Sequence, residues 1–158
     1  NYTYARSLVQ VQGINYGEIY PANYDKPHAL NVVANYKFSR RINVSSNMVF
    51  ASGRPITYPT AVFYQTDFPN TFYSTRNEFR IPNYLRFDAS MSYEGNLKKD
   101  KPIHGIWNVS VYNLLGRNNA FTVYALQEGN SINGYQLSIF GSPIVSVAYQ
   151  FKLGSYEQ

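Results

Sequence analysis

The sequence has no cysteine, little charge and few of the residues that build most active sites. Of its 158 residues, 15% are charged, two are histidine and one is tryptophan. The lack of cysteine excludes a disulfide scaffold, a thiol nucleophile and a cysteine zinc site. No run of about eighteen apolar residues occurs either, which excludes a transmembrane helix.

The residues that are abundant favour strands and turns. The chain contains sixteen tyrosines, ten phenylalanines and seventeen asparagines, and its formal net charge is +5. Aromatic residues are enriched in β-strands, whereas asparagine is frequent in turns. Low charge combined with many aromatics argues against disorder. The composition therefore predicts an ordered, all-β protein with extensive loops.

Alternation of apolar and polar residues predicts six strands and no helix. The clearest stretch covers residues 28–38, and after the turn Ser39-Arg40-Arg41 the alternation resumes over residues 42–50. Period two over such lengths is typical of strands with one apolar face, so these two stretches are expected to form a hairpin. The six predicted strands are residues 2–9, 28–38, 42–50, 85–93, 107–115 and 144–151.

The connections alternate between long and short. Residues 10–27, 53–83 and 116–142 form long gaps, whereas residues 39–41 and 94–105 are shorter. Long extracellular loops at one end and shorter periplasmic turns at the other are typical of an outer-membrane β-barrel. Strands of about ten residues are also long enough to cross a bilayer when tilted. We therefore predict an antiparallel transmembrane β-barrel segment, with a soluble sandwich as the rival fold.

The polar faces of the predicted strands carry asparagine, serine and glutamine more than charge. Such faces fit a barrel lumen better than the charged outer face of a soluble sandwich. We expect Asn31, Asn35, Arg86 and Asp88 to face the lumen. Because Arg86 and Asp88 are two residues apart, they share a side and can pair.

Aromatic and basic residues are concentrated near strand ends. Aromatics on the apolar faces are expected to form a girdle at the membrane interface: Tyr36, Phe38, Phe50, Tyr93, Trp107, Tyr149 and Phe151. Half of the fourteen basic residues lie at the end with the shorter turns: Lys37, Arg40, Arg41, Lys98, Lys99, Lys101 and Lys152. This clustering suits the anionic headgroups of membrane lipid.

Four segments, in this order, resemble the C-terminal barrel of TonB-dependent outer-membrane receptors, most closely the subset with an N-terminal carboxypeptidase-regulatory-type domain. They are residues 24–31 (YDKPHALN), 51–57 (ASGRPIT), 80–88 (RIPNYLRFD) and 110–119 (SVYNLLGRNN). The resemblance implies a barrel of twenty-two strands around an N-terminal plug. Residues 1–158 would then be the C-terminal part of that barrel, with the plug and the remaining strands outside this chain.

The resemblance also implies function and partners. The chain would supply wall and ligand-capturing loops to a receptor for nutrient uptake in the bacterial outer membrane, energised by the TonB complex acting through the plug. Its lumen-facing residues would also face that plug. Outer-membrane lipid would surround the barrel, and the nutrient and a surface lipoprotein partner are left open.

The long loops hold the candidate ligand-binding residues. Flat aromatic side chains interspersed with asparagine, glutamine and threonine can stack on sugars or bury peptide side chains while offering hydrogen bonds. The candidates are Phe63, Tyr64, Phe68, Phe72, Tyr73, Tyr124, Asn130 and Tyr135. Glu128 and Asn133 lie in the same stretch of sequence as the last three candidates and have similar character. Packing of the loops into a rigid cap is the alternative role for these side chains.

Other function classes find little support in the residues. His28 and His104 fall at opposite ends of the predicted strands, so no Ser/His/Asp set or metal cluster can form around them, and we predict no enzymatic activity, metal or cofactor. No basic stripe with interleaved aromatics indicates a nucleic-acid partner. The alternative function is a structural or adhesive barrel or sandwich subunit that binds glycan or protein at the cell surface without transport. Asp25 and His28 are expected to anchor a loop by hydrogen bonds.

Overall fold

A computed structural model describes residues 1–65, 68–95, 103–128 and 131–154. Within these ranges the chain forms strands and a single 3-10 turn, Asn15–Gly17. The strands are β1 (Tyr2–Tyr4), β2 (Leu8–Val9), β3 (Tyr20–Pro21), β4 (His28–Lys37), β5 (Ile42–Ala51), β6 (Pro55–Ile56), β7 (Pro59–Gln65), β8 (Phe68–Tyr73), β9 (Phe79–Arg80), β10 (Tyr84–Glu94), β11 (Ile103–Tyr112), β12 (Ala120–Glu128), β13 (Ser131–Ser138) and β14 (Ile144–Leu153). Their pairing is antiparallel, so the all-β prediction is confirmed.

Six strands form one sheet in the order β1-β4-β5-β10-β11-β14. Five of them overlap the predicted segments along most of their length, and β1 overlaps the start of the sixth. In the described part of the chain, β1 and β14 each have a neighbour on one side, so this sheet is open and does not close into a barrel. Closure of a barrel stays a prediction.

The chain divides into two compact units. The hairpin unit comprises Asn1–Leu30, Phe50–Tyr84 and Asn118–Ile139 and contains the short strand pairs. The sheet unit comprises Asn31–Val49, Leu85–Arg117 and Phe140–Gln158 and contains most of the long strands. The hydrophobic side chains that are buried among the described residues, Tyr20, Ala22 and Ile81, all belong to the hairpin unit.

The strand register of the sheet unit separates an apolar face from a polar face. Val109 lies opposite Met91 on β10 and opposite Val147 on β14. The next residue, Ser110, lies on the other face, opposite Ser90 and Ser146. Large side chains of the apolar face keep 36–64% of their surface accessible: Met91, Tyr93, Trp107, Val109, Val145, Val147, Tyr149 and Phe151. No described part of the chain buries this face.

Two predicted strands have wrong boundaries. Residues 2–9 are not one strand, because Ser7 turns away to donate its N–H to Asp25 and β2 then pairs with β3 rather than with the main sheet. The strand predicted over residues 107–115 starts at Ile103 and ends at Tyr112. Asn113 ends it with a left-handed backbone, φ 53°. Trp107 therefore lies in the middle of β11 rather than at the strand end expected for a girdle residue.

The predicted long loops contain hairpins that periodicity did not reveal. The gap over residues 53–83 holds β7 and β8 nested between the paired β6 and β9, and residues 116–142 hold β12 paired with β13. Phe63 and Tyr64 are consecutive aromatics and both are exposed. A strand that exposes apolar residues on both faces shows no apolar–polar alternation, which is why these segments resemble loops in sequence.

Candidate ligand-binding surface

The first candidate ligand-binding segment is the hairpin β7–β8. The register places Phe63 diagonally across from Phe72, so these two phenylalanines share a face. Their chain neighbours Tyr64 and Tyr73 point to the opposite face because side chains alternate along a strand. All four are exposed, with 47–61% of their surface accessible. The structure therefore splits this candidate set into two faces.

The second candidate segment, the hairpin β12–β13, brings its residues together. Tyr124 and Tyr135 face each other across the two strands and stack, with ring centroids 5.8 Å apart and an angle of 21° between the planes. The Tyr135 hydroxyl donates to Glu128 Oε1 at 2.7 Å, and Asn133 Nδ2 donates to Glu128 Oε2 at 2.7 Å. Two stacked rings and one carboxylate thus form a continuous exposed surface.

The carboxylate of this surface is held in its ionised form. The hydrogen bond from Tyr135, followed by that from Asn133, lowers the pKa of Glu128 below its ordinary value of 4.5, since both donors favour the charged form. The same bond to Glu128 is the main reason that the pKa of Tyr135 is raised. Tyr135 therefore stays a hydrogen-bond donor to Glu128 throughout the physiological range.

Tyr58 supports the back of this hairpin, a role that the sequence does not predict. Its hydroxyl lies where a side chain at Gly134 would stand, and its ring meets Phe79 edge-on at 6.2 Å between centroids. Gly134 and Tyr135 are neighbours in β13, so Tyr58 and the Tyr135 ring lie on opposite faces. A glycine inside a strand commonly marks such a close approach, and Gly134 is the signal that could have indicated it.

Two candidate positions lie outside what the structure describes. Asn130 is outside the described residues, and although Phe68 begins β8, its side chain is also outside them. The clustered part of the candidate set is therefore Tyr124 and Tyr135. Glu128 and Asn133, named beside them from the sequence, belong to the same cluster, because Tyr135 and Asn133 both donate to Glu128.

Asp25 anchors the base of the hairpin unit. Its side chain is fully buried, accepts the N–H of Ser7 at 2.7 Å, pairs with Arg80, and lies 3.6 Å from Arg6. Arg80 Nη1 also donates to the carbonyls of Asp25 and Gly53, each at 2.9 Å. The predicted anchoring role of Asp25 is confirmed, and His28 is likewise hydrogen-bonded, 2.7 Å from the Tyr2 hydroxyl.

The ionisation of Asp25 should make the hairpin unit sensitive to acid. Burial opposes its charge, but the Ser7 N–H and the two arginines outweigh burial, and the pKa of Asp25 is lowered from its ordinary value of 3.8. A lowered pKa in the folded state stabilises the fold above pH 3.8, and this stabilisation is lost as pH falls through the folded-state pKa. The melting temperature should fall when the pH is lowered from 6 to 3, and we expect this fall to be smaller in Asp25→Asn than in the unchanged protein.

Near-ultraviolet circular dichroism during heating measures this difference. Glu78→Gln is the matched control, because it removes an exposed carboxylate of the same unit that is bonded to Thr75. An unchanged acid response in Asp25→Asn, or an equal change in the control, would contradict the assignment.

The candidate lumen residues lie in the sheet unit. Arg86 Nε is 3.0 Å from Asp88 Oδ2, so the predicted pairing of these two residues is present. Arg86 also donates to the Tyr112 hydroxyl at 2.9 Å and lies over its ring. Asn31 and Asn35 are exposed positions of β4. The pair of Arg86 and Asp88 is a structural contact, and a lumen location for all four residues stays a prediction.

The surface is equipped for recognition by stacking and hydrogen bonding. The part of the chain that the structure describes contains no helix with the length and apolar character of a membrane span. In the same part, no group of three His, Asp or Glu side chains is placed to hold a metal ion.

Comparison with protein-family models, curated proteins and solved structures found no match.

Proposed function

We propose that this chain is a wall segment of a TonB-dependent receptor in the bacterial outer membrane. The observation that carries the proposal is the exposed apolar face of the sheet unit, set back to back with a polar face on strands of ten or eleven residues. A large apolar face exposed to water marks a surface that contacts another molecule. On barrels whose strands span the hydrocarbon layer, lipid makes that contact. The sheet would be part of a ring of twenty-two strands that surrounds a plug.

In this proposal the hairpin unit captures the nutrient and the sheet unit lines its passage. The exposed rings of β7–β8 and β12–β13 supply stacking surfaces, and Asp25 with Arg80 holds the base of the unit in place. Motion of the plug, driven through TonB, would then release the nutrient inward. The chain itself performs no chemical step.

Contact between the apolar face and lipid can be tested with Trp107. Its side chain lies on that face and 49% of its surface is accessible. In bilayers of phosphatidylcholine with brominated acyl chains, we expect strong quenching of the Trp107 fluorescence, measured as the difference between the protein and its Trp107→Phe variant. Bromine quenches only at close range, so the signal reports contact with acyl chains.

A tryptophan on the other face is the matched control. In the Trp107→Phe background, Ser110→Trp places the ring on the polar face, and we expect brominated lipid to leave its fluorescence almost unchanged. Equal quenching at both positions, or none at Trp107, would refute a lipid-facing wall and would favour a soluble surface subunit instead.

A further inference from the structure

One face of the hairpin β12–β13 is open to solvent around Tyr124, Leu126 and Tyr135. Tyr124, Leu126 and Glu128 alternate on β12 and therefore share this face, opposite Tyr135 and Asn133 of β13. Tyr124 and Leu126 keep 46% and 48% of their surface accessible, and Tyr135 keeps 37%. We call these five residues the tyrosine face.

The tyrosine face offers a ligand more hydrogen-bond acceptors than donors, because two of its donors are engaged with Glu128. The Tyr135 hydroxyl and the Asn133 amide both direct a hydrogen towards Glu128. A carboxylate can accept about four hydrogen bonds, and a tyrosine oxygen that donates can still accept. Glu128 and Tyr135 thus offer lone pairs to a ligand. A ligand made of donors alone satisfies such a face better than sugar hydroxyls, which need donors as well as acceptors.

The charge of the hairpin also favours a ligand that carries positive charge. Glu128 is the one residue between positions 120 and 138 that carries a formal charge at neutral pH. It takes no part in the ion pairs described above, which join Asp25 to Arg80 and Arg6 and join Asp88 to Arg86. No described Lys or Arg is therefore seen in an ion pair with Glu128.

The tyrosine rings and Leu126 suit a Lys or Arg side chain, whose charged head is carried on apolar methylene groups. The faces of tyrosine rings attract Lys and Arg side chains when the cation lies within about 6 Å of the ring centre. Leu126, beside the rings, can cover the methylene groups of such a side chain, which remain apolar up to the charged head.

We infer that the tyrosine face binds a Lys or Arg side chain of a peptide that carries apolar residues beside it. This inference rests on the proposed function and names its substrate class: basic, partly apolar peptides. The ligand's ammonium or guanidinium group donates to Glu128 and lies against Tyr124 and Tyr135, and its stem packs on Leu126.

Fluorescence anisotropy of a fluorescein-labelled Leu-Lys-Leu peptide tests the inference. The protein is placed in phosphatidylcholine nanodiscs, and the neutral counterpart is Leu-Gln-Leu with the same label. Because the site is exposed, we expect the lysine peptide to bind roughly five- to tenfold more tightly than the glutamine peptide. Glu128→Gln should remove this preference, whereas Glu78→Gln, which removes a carboxylate of the same unit elsewhere, should retain it.

The outcomes separate this inference from the proposed function. Equal binding of the two peptides, or a preference that survives Glu128→Gln, would overturn the inference. Displacement of the lysine peptide by maltoheptaose at equal concentration would overturn it as well and would indicate a glycan site. A protein that shows no lysine preference, but whose Trp107 is quenched by brominated lipid, leaves the wall proposal standing, whereas absent quenching at Trp107 refutes the proposed function itself.

Discussion

Replacing Val109 with arginine is expected to destabilise the membrane-inserted protein by about 2–4 kcal/mol, the cost of an arginine on the lipid face near the bilayer midplane. Val109 lies between Met91 and Val147 on the apolar face, so the introduced guanidinium would enter acyl chains. Ser110→Arg is the matched control. It lies one residue away, between Ser90 and Ser146, and should be tolerated because its side chain points to the polar face.

Urea titration of each variant in phosphatidylcholine vesicles gives the two free energies of unfolding. The informative quantity is the difference between the free energies of unfolding of the two variants, because both substitutions add the same side chain to the same strand. If Ser110→Arg costs as much as Val109→Arg, or if Val109→Arg is harmless, the apolar face does not meet lipid.

Replacing Arg80 with methionine is expected to destabilise the hairpin unit by about 3 kcal/mol. The substitution leaves the buried carboxylate of Asp25 without its main partner, and an uncompensated buried charge typically costs about 3–5 kcal/mol. We expect the lower end because Arg6 remains 3.6 Å from Asp25. The carbonyl of Gly53 also loses a donor.

Hydrogen exchange of peptides covering β3 and β9 measures this loss as faster local opening. Arg76→Met is the control, because the backbone of Arg76, not its side chain, is hydrogen-bonded to the Asn15 side chain. The double variant Asp25→Asn with Arg80→Met should recover most of the stability, since it removes the unpaired charge. A double variant no more stable than Arg80→Met would show that the ion pair is not the source of the effect.

The main sheet was predictable because its strands have one apolar and one polar face. β4, β5, β10 and β14 fall close to the predicted segments, and Arg86 and Asp88 are paired as their spacing suggested. Period-two alternation is a local property, so it is visible in sequence whatever the partner strands are. The start of β11 was missed because Ile103 to Gly105 do not alternate clearly.

The hairpins of the candidate surface were not predictable in the same way. Tyr124 and Tyr135 are eleven positions apart, and their stacking depends on the register of β12 with β13. Likewise, that Phe63 shares a face with Phe72 follows from the pairing of β7 with β8 rather than from composition. The sequence indicated which residues were candidates, but not which of them share a surface.

By itself, the sequence determined the all-β character of the chain, the long strands and the aromatic, amide-rich character of the exposed segments. The tertiary structure decided that the long gaps contain hairpins, that Asp25 is buried between two arginines, and that Glu128 lies beside two stacked tyrosines. The reason is physical. Alternation is fixed by neighbours along the chain, whereas burial, register and ion pairing depend on residues brought together from distant positions, which no local pattern specifies.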